Sequence, residues 1–264
     1  RQMCIRDSPK TRGILLVSLS GLRTLLPNPK VFERSQVSLK VGQEYDSDTL
    51  TKQLITIGYQ KVSQVISPGE FSRRGDILDI YEITQELPYR LEFFGDDIDG
   101  IRKFNPETQT SFEQVEELLV YPASDLIFEV SDFQRGIEHL EEALKTAKTE
   151  KKAYLEDLLA VSKDGFKHSD IRKFQSLFYE KEWTLLDYIP KGTPLFFDDF
   201  QKLVDKNARF DLEVANLLTE DLQQGKALSN LHYFADNYRD FRHYKPATFF
   251  SNFHKGLGLS LIHI

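Results

Sequence analysis

Polar and apolar positions alternate in step along the middle third of this chain. In PYRLEFF (88–94) a strand would turn Tyr89, Leu91 and Phe93 to one side and Arg90, Glu92 and Phe94 to the other. Similar short runs, KVSQVI (61–66), EFSRR (70–74), DILDIY (76–81) and DGIRKF (99–104), predict a meander of strands, with turns at Pro68-Gly69 and Asn105-Pro106. Ahead of it, Val37, Leu39 and Val41 alternate as a strand with one face inward. Asp46 or Ser47 then caps a helix through LTKQLITI that Gly58 stops. One helix and a set of antiparallel strands give a compact α+β domain ending near Pro122.

The flanks have a different texture. GILLVSL (13–19) is a continuous apolar run of the kind that forms a strand buried on both faces, and Ser20 precedes a short helical GLRTLL. After the β region, Ser131 or Asp132 is placed to cap a long helix. Its Phe133, Ile137, Leu140 and Leu144 form one apolar stripe, and Lys145–Lys152 form a solvated face in or beside it. A second helical segment follows Ser169, PLFF (194–197) reads as another buried strand, and helix is expected from Asp199 to about Leu222. The fold class is therefore α/β plus α+β.

Composition narrows the function. The 264 residues carry a formal net charge of −7, unlike a chain whose main partner is nucleic acid. No window approaches the roughly 18 apolar residues of a membrane-spanning helix, so a cytoplasmic protein without a membrane partner is expected; a monomer is expected as well. The single cysteine and single methionine, Cys4 and Met3, lie in RQMCIRDS (1–8). That octapeptide and LSLIHI (259–264) resemble translated sequencing adapters and are set apart as a non-native leader and tail. Thiol chemistry is then excluded, and the remainder reads as an internal piece of a longer protein.

Candidate chemistry is sparse. Arg74-Gly75-Asp76 spells an integrin tripeptide but enters a strand. Asp96, Asp97 and Asp99 with Gly100 lack the other ligands of a calcium loop and suit a polar hairpin turn. The histidines at 139, 168, 232, 243 and 254 show no metal spacing, so no metal site and no catalytic set are expected. Arg90 and Phe94 on the face opposite the core side remain. The pattern alone leaves two readings open: a display face for a partner, or Phe94 beneath a loop with Arg90 paired to Glu92 or a nearby Asp. Direct nucleic-acid binding through Arg73, Arg74, Arg102 and Lys103 is a further alternative.

The run GYQKVSQVISPGEFSRRGDILDIYEITQELPYRLEFFGDDIDGIRKFNPETQ (58–109) closely resembles the second domain of the bacterial transcription-repair coupling factors (Mfd). A related RGD and EFFGD pattern occurs in the excinuclease subunit UvrB. The resemblance covers roughly residues 9–258. It implies an α/β remnant at 9–32, a UvrA-binding α+β domain at 33–122 and a helical continuation at 123–258. Together these form a docking domain inserted in a degenerate P-loop, helicase-like domain that is only partly present. Position by position, the family's UvrA-contacting residues fall on Arg74, Arg90 and Phe94, two guanidinium forks and an apolar anchor.

The resemblance also implies transcription-coupled nucleotide-excision repair as the setting. UvrA would be the partner of this region, and RNA polymerase and duplex DNA would bind through other parts of the parent. No cofactor is expected here, ATP and magnesium belonging to the parent's motor. The runner-up is UvrB itself, a DNA-dependent ATPase. Against it, no GxxxxGK[ST] loop occurs, and the UvrB Walker B Asp-Glu-Ser-His is matched here by Asp198, Asp199, Phe200 and Gln201.

Overall fold

The computed structural model describes residues 14–163, 169–236 and 246–250. The leader and tail, His168, His243 and His254, and part of 226–258 lie outside the described residues. The described chain is mixed α/β, and its sheets are mainly antiparallel.

Alternation becomes a six-stranded sheet. Strands β2 (Gln60–Lys61), β3 (Glu70–Arg74), β4 (Ile77–Ile80), β5 (Tyr89–Phe94), β6 (Asp97–Phe104) and β7 (Ser111–Val115) lie side by side in chain order. Neighbours are antiparallel except the β2–β3 pair. The register sets Leu78 opposite Leu91 and Leu91 opposite Ile101, so one face is an apolar row. Helix α3 (Ser47–Thr56) follows two short helices, α1 (Leu19–Leu22) and α2 (Pro29–Arg34), and brings fully buried Leu50 and Leu54 into that core. Asp46 caps α3 by accepting from the Asp48 and Thr49 amides. Gly58 (φ 96) turns the chain out of it, where a Cβ would stand 2.5 Å from that of Ser124. A separate antiparallel pair, β1 (Val37–Lys40) with β8 (Glu117–Val120), completes the same core through Val37, Leu39, Leu118 and Val120.

Among the described residues, a small second core covers one end of the sheet's other face. Only the first residue of the expected KVSQVI strand joins the sheet. Val62 and Val65 instead fold over Tyr81 and Phe104 as a small second core. The loop is held because the Ile66 and Ser67 amides both donate to Oε2 of Glu70, at 2.8 Å.

Downstream, α4 (Val130–Thr146) and α5 (Thr149–Lys163) pack with a 3-10 turn (Ser169–Phe174) and α6 (Gln175–Phe178) around Leu140, Leu158, Phe174 and Phe178. Helix α4 starts earlier than expected: Glu129 holds the N-cap position without a side-chain hydrogen bond, and Ser131 and Asp132 lie inside the helix, where Asp132 engages Arg135 at 3.1 Å. Ala147, at extended ψ, separates the two helices within the charged stretch. Helix α7 (Leu185–Tyr188) starts at a capping box between Thr184 and Asp187. Strand β9 (Leu195–Phe197) leads into α8 (Phe200–Gln223) and pairs in parallel with β10 (Ala247–Phe249).

Two expected buried strands are corrected. Residues 14–17 of the GILLVSL run form no strand and are exposed, Ile14 at 92%. Among the described residues no strand lies alongside, and Ser18 instead caps α1 by accepting from the Gly21 amide. The PLFF strand is buried on one side only, because Phe197 enters an aromatic cluster while Phe196 remains exposed and stacks on Phe250.

Candidate docking face on the antiparallel sheet

The expected faces of PYRLEFF are those observed. Tyr89, Leu91 and Phe93 are buried, Arg90 and Glu92 are half-buried, and Phe94 is 80% exposed. No loop among the described residues covers Phe94. It sits where β5 turns into β6 through Gly95 (φ 62) and Asp96, the Phe94–Asp97 pair closing a two-residue turn. Gly75 (φ 60) and Asp76 form the same kind of turn between β3 and β4, closed by Arg74 and Ile77. The two turns lie at one end of the sheet, where the Phe93 amide donates to the Asp76 carbonyl at 2.8 Å. The Arg-Gly-Asp and Gly-Asp-Asp motifs are thus hairpin turns.

Arg74 and Arg90 meet on one carboxylate. Asp79 lies on β4 opposite Arg90, and its side chain is only 1% exposed. Arg90 donates to it twice, Nε to Oδ1 at 2.7 Å and Nη2 to Oδ2 at 2.9 Å, while Arg74 Nη2 donates to the same Oδ2 at 2.9 Å. The hydrogen bond to Asp79 also holds Arg90 above its ordinary pKa. The third Arg90 group, Nη1, donates to the Gln109 carbonyl at 3.1 Å. Beneath the guanidinium lies the Phe104 ring, 4.7 Å from Cζ to centroid. Arg90 is therefore a framed side chain, whereas Arg74 keeps half its side chain in solvent.

Glu92 does not bind Arg90. It faces Arg102, at 3.7 Å. The four cations weighed for nucleic acid do not form one patch. Arg74 and Arg102 lie on this face, while Arg73 and Lys103 lie on the other, paired to Asp48 and Glu113. The expected alternative of Arg90 paired to a nearby Asp is the one observed, although the sequence did not single out Asp79, and Phe104 was missed. The signal was available in the register, since pairing DILDIY with PYRLEFF sets Asp79 across from Arg90.

The other candidate site is elsewhere. Asp198 is exposed after β9, and Asp199, at φ 48, precedes α8 with its carboxylate 2.6 Å from Lys202 Nζ. That hydrogen bond lowers the Asp199 pKa.

A mainly antiparallel sheet whose core face is completed by α3 and the β1–β8 pair is the setting of this face, and residues 37–126 match the UvrB interaction domain family. The chain carries a UvrB interaction domain. Over most of its length it is similar to the transcription-repair-coupling factors. It is 33% identical to that of Bacillus subtilis (strain 168) over 227 residues, 83% of this chain and 19% of the relative. It is 29% identical to that of Staphylococcus aureus (strain bovine RF122 / ET3-1) over 266 aligned residues, 96% of this chain and 22% of the relative. The chain is a relative of the transcription-repair-coupling factors and spans about a fifth of their length.

Proposed function

We propose that this chain is a UvrA-docking module of a transcription-repair coupling factor, serving transcription-coupled nucleotide-excision repair. The observation that carries the reading is Phe94, a large aromatic exposed at a hairpin tip, on the same face and at the same end of the sheet as a half-exposed Arg74. A phenyl ring held in water gains nothing unless a partner covers it, and Arg with an aromatic is the usual make-up of an interface centre. Phe94 fills an apolar slot on UvrA, Arg74 offers its guanidinium to a carboxylate or carbonyl, and Arg90 completes the set from within the sheet.

By likeness to the relatives, RNA polymerase, duplex DNA and the ATP- and magnesium-dependent motor belong to other parts of such a protein, and this chain performs no catalysis. Asp198 and Asp199 are remnants of a Walker B strand in a degenerate P-loop domain. The engagement of Asp199 by Lys202 supports that reading over the UvrB alternative, which needs its acids free for magnesium.

Titration of UvrA with the purified chain tests the proposal. Phe94→Ala is expected to weaken binding by about 2 kcal/mol, roughly thirtyfold. Because the ring is exposed, its removal should change folding stability by less than about 0.5 kcal/mol. Equal retention of UvrA by the wild type and by the Arg74→Ala, Arg90→Ala, Phe94→Ala triple variant would reject the surface.

A further inference from the structure

Asp79 is an unusual residue to bury in a strand between Leu78 and Ile80. A carboxylate removed from water costs several kcal/mol unless compensated, and an apolar residue would fill the place at less risk. Among the described residues the compensation is arginine: Oδ1 accepts from Arg90, and Oδ2 accepts from both Arg90 and Arg74. One anion thus serves two cations from the two neighbouring strands. The long Arg74 side chain is tethered by this single hydrogen bond at Nη2, and it is the more exposed of the pair.

We infer that Asp79 is a positioning residue of the docking face, a buried carboxylate clamp that orders Arg74 and Arg90 before the partner arrives. The inference rests on the docking reading above and deepens it. An arginine free in solution gives up rotamer freedom when it binds, and one already held in place gives up less. The clamp lowers that cost for Arg74, while Arg90, framed by Asp79, the Gln109 carbonyl and the Phe104 ring, keeps the carboxylate oriented. The cluster retains one uncompensated positive charge, presented on the open side through Arg74. A partner group with carboxylate chemistry completes it.

Asp79→Asn is the informative change. An amide supplies one oxygen and one NH2, so whichever way it turns, at least one guanidinium N–H meets a donor instead of an acceptor. Calorimetric titration with UvrA is expected to show binding about tenfold weaker for Asp79→Asn than for wild type. In the Arg74→Ala, Arg90→Ala background, the same change should alter affinity less than about twofold, because the groups it acts through are gone. Asp79→Asn within twofold of wild type, or an equal fold-loss in both backgrounds, would overturn the clamp and leave the docking reading intact. Failure of wild type to bind UvrA would remove both, and the titration reports it before any variant is compared. Guanidinium 15N NMR supplies a readout that needs no partner. Hindered rotation of Arg74 and Arg90 in wild type, released in Asp79→Asn, is expected. If Asp79→Asn does not fold, shown by collapse of amide dispersion, the wild-type spectrum decides: hindered rotation of Arg74 supports the clamp, and free rotation overturns it.

Discussion

Phe104→Ala is expected to cost about 3–5 kcal/mol of folding free energy, measured as a lower urea midpoint at unchanged slope. Phe104 is fully buried at the end of β6, yet it faces away from the main core. It fills the small second cluster with Val65 and Tyr81, under the loop that leaves the sheet after Lys61. Truncation empties a space that the loop cannot collapse into freely, because the Ile66 and Ser67 amides bind it to Glu70. The Arg90 guanidinium also loses its aromatic floor. A domain stable by about 5–15 kcal/mol would keep only a narrow margin. Phe104→Leu, which restores most of the volume, should cost about 1.5 kcal/mol or less. The comparison side chain is Phe112, exposed on β7, whose truncation should change stability by about 0.5 kcal/mol at most. Equal effects at 104 and 112 would show that the second cluster contributes nothing.

This contrast marks where the sequence was legible. Along one strand, the period of two separates Tyr89, Leu91 and Phe93 from Arg90, Glu92 and Phe94 without any knowledge of the neighbours. Asp46 and Gly58 bound their helix through local hydrogen bonding and local φ, which are also written in a few adjacent residues. What stayed hidden depends on register and on which surfaces meet. Arg90 has an acid two positions away in Glu92, but its partner is Asp79, eleven positions back and directly across the β4–β5 pair. Val62 and Val65 have strand character and instead roof the opposite face, a choice made by Tyr81 and Phe104. The GILLVSL run has the composition of a buried strand, but a strand also needs a neighbour to accept its hydrogen bonds, and none lies beside residues 14–17 among the described residues. The residue types at the candidate face could thus be read from the chain, whereas the carboxylate that organises them is singled out only once the two strands are set in register.

Gly136→Ala would ordinarily be expected to help a helix, since glycine inside one costs about 1 kcal/mol relative to alanine. Here the expected result is the reverse, a loss of about 3 kcal/mol. Gly136 lies within the 17-residue helix α4, and a Cβ built on it would stand 2.1 Å from Cδ1 and 2.3 Å from Cε1 of Phe178. The ring has no room to retreat. Phe178 is fully buried on α6, with the Phe128 ring 4.6 Å away by centroid and that of Phe133 at 6.3 Å. The backbone of α6 is fixed as well: Arg135 donates to the Phe178 carbonyl at 3.0 Å, and a ring nitrogen of His139 lies 2.9 Å from the Leu177 carbonyl oxygen. The methyl group must therefore push the two helices apart along the seam where the helical cluster closes. Urea denaturation of Gly136→Ala, Phe178→Leu and the double variant separates this cause from a general helix effect. The smaller leucine costs packing of its own, but in its presence the penalty for alanine should fall to about 1 kcal/mol or less, a strong negative coupling between the two sites. Additive losses would mean that the ring and the glycine do not constrain one another. A gain in stability from Gly136→Ala alone would mean that α4 and α6 are not in the close contact that admits only a hydrogen atom at position 136.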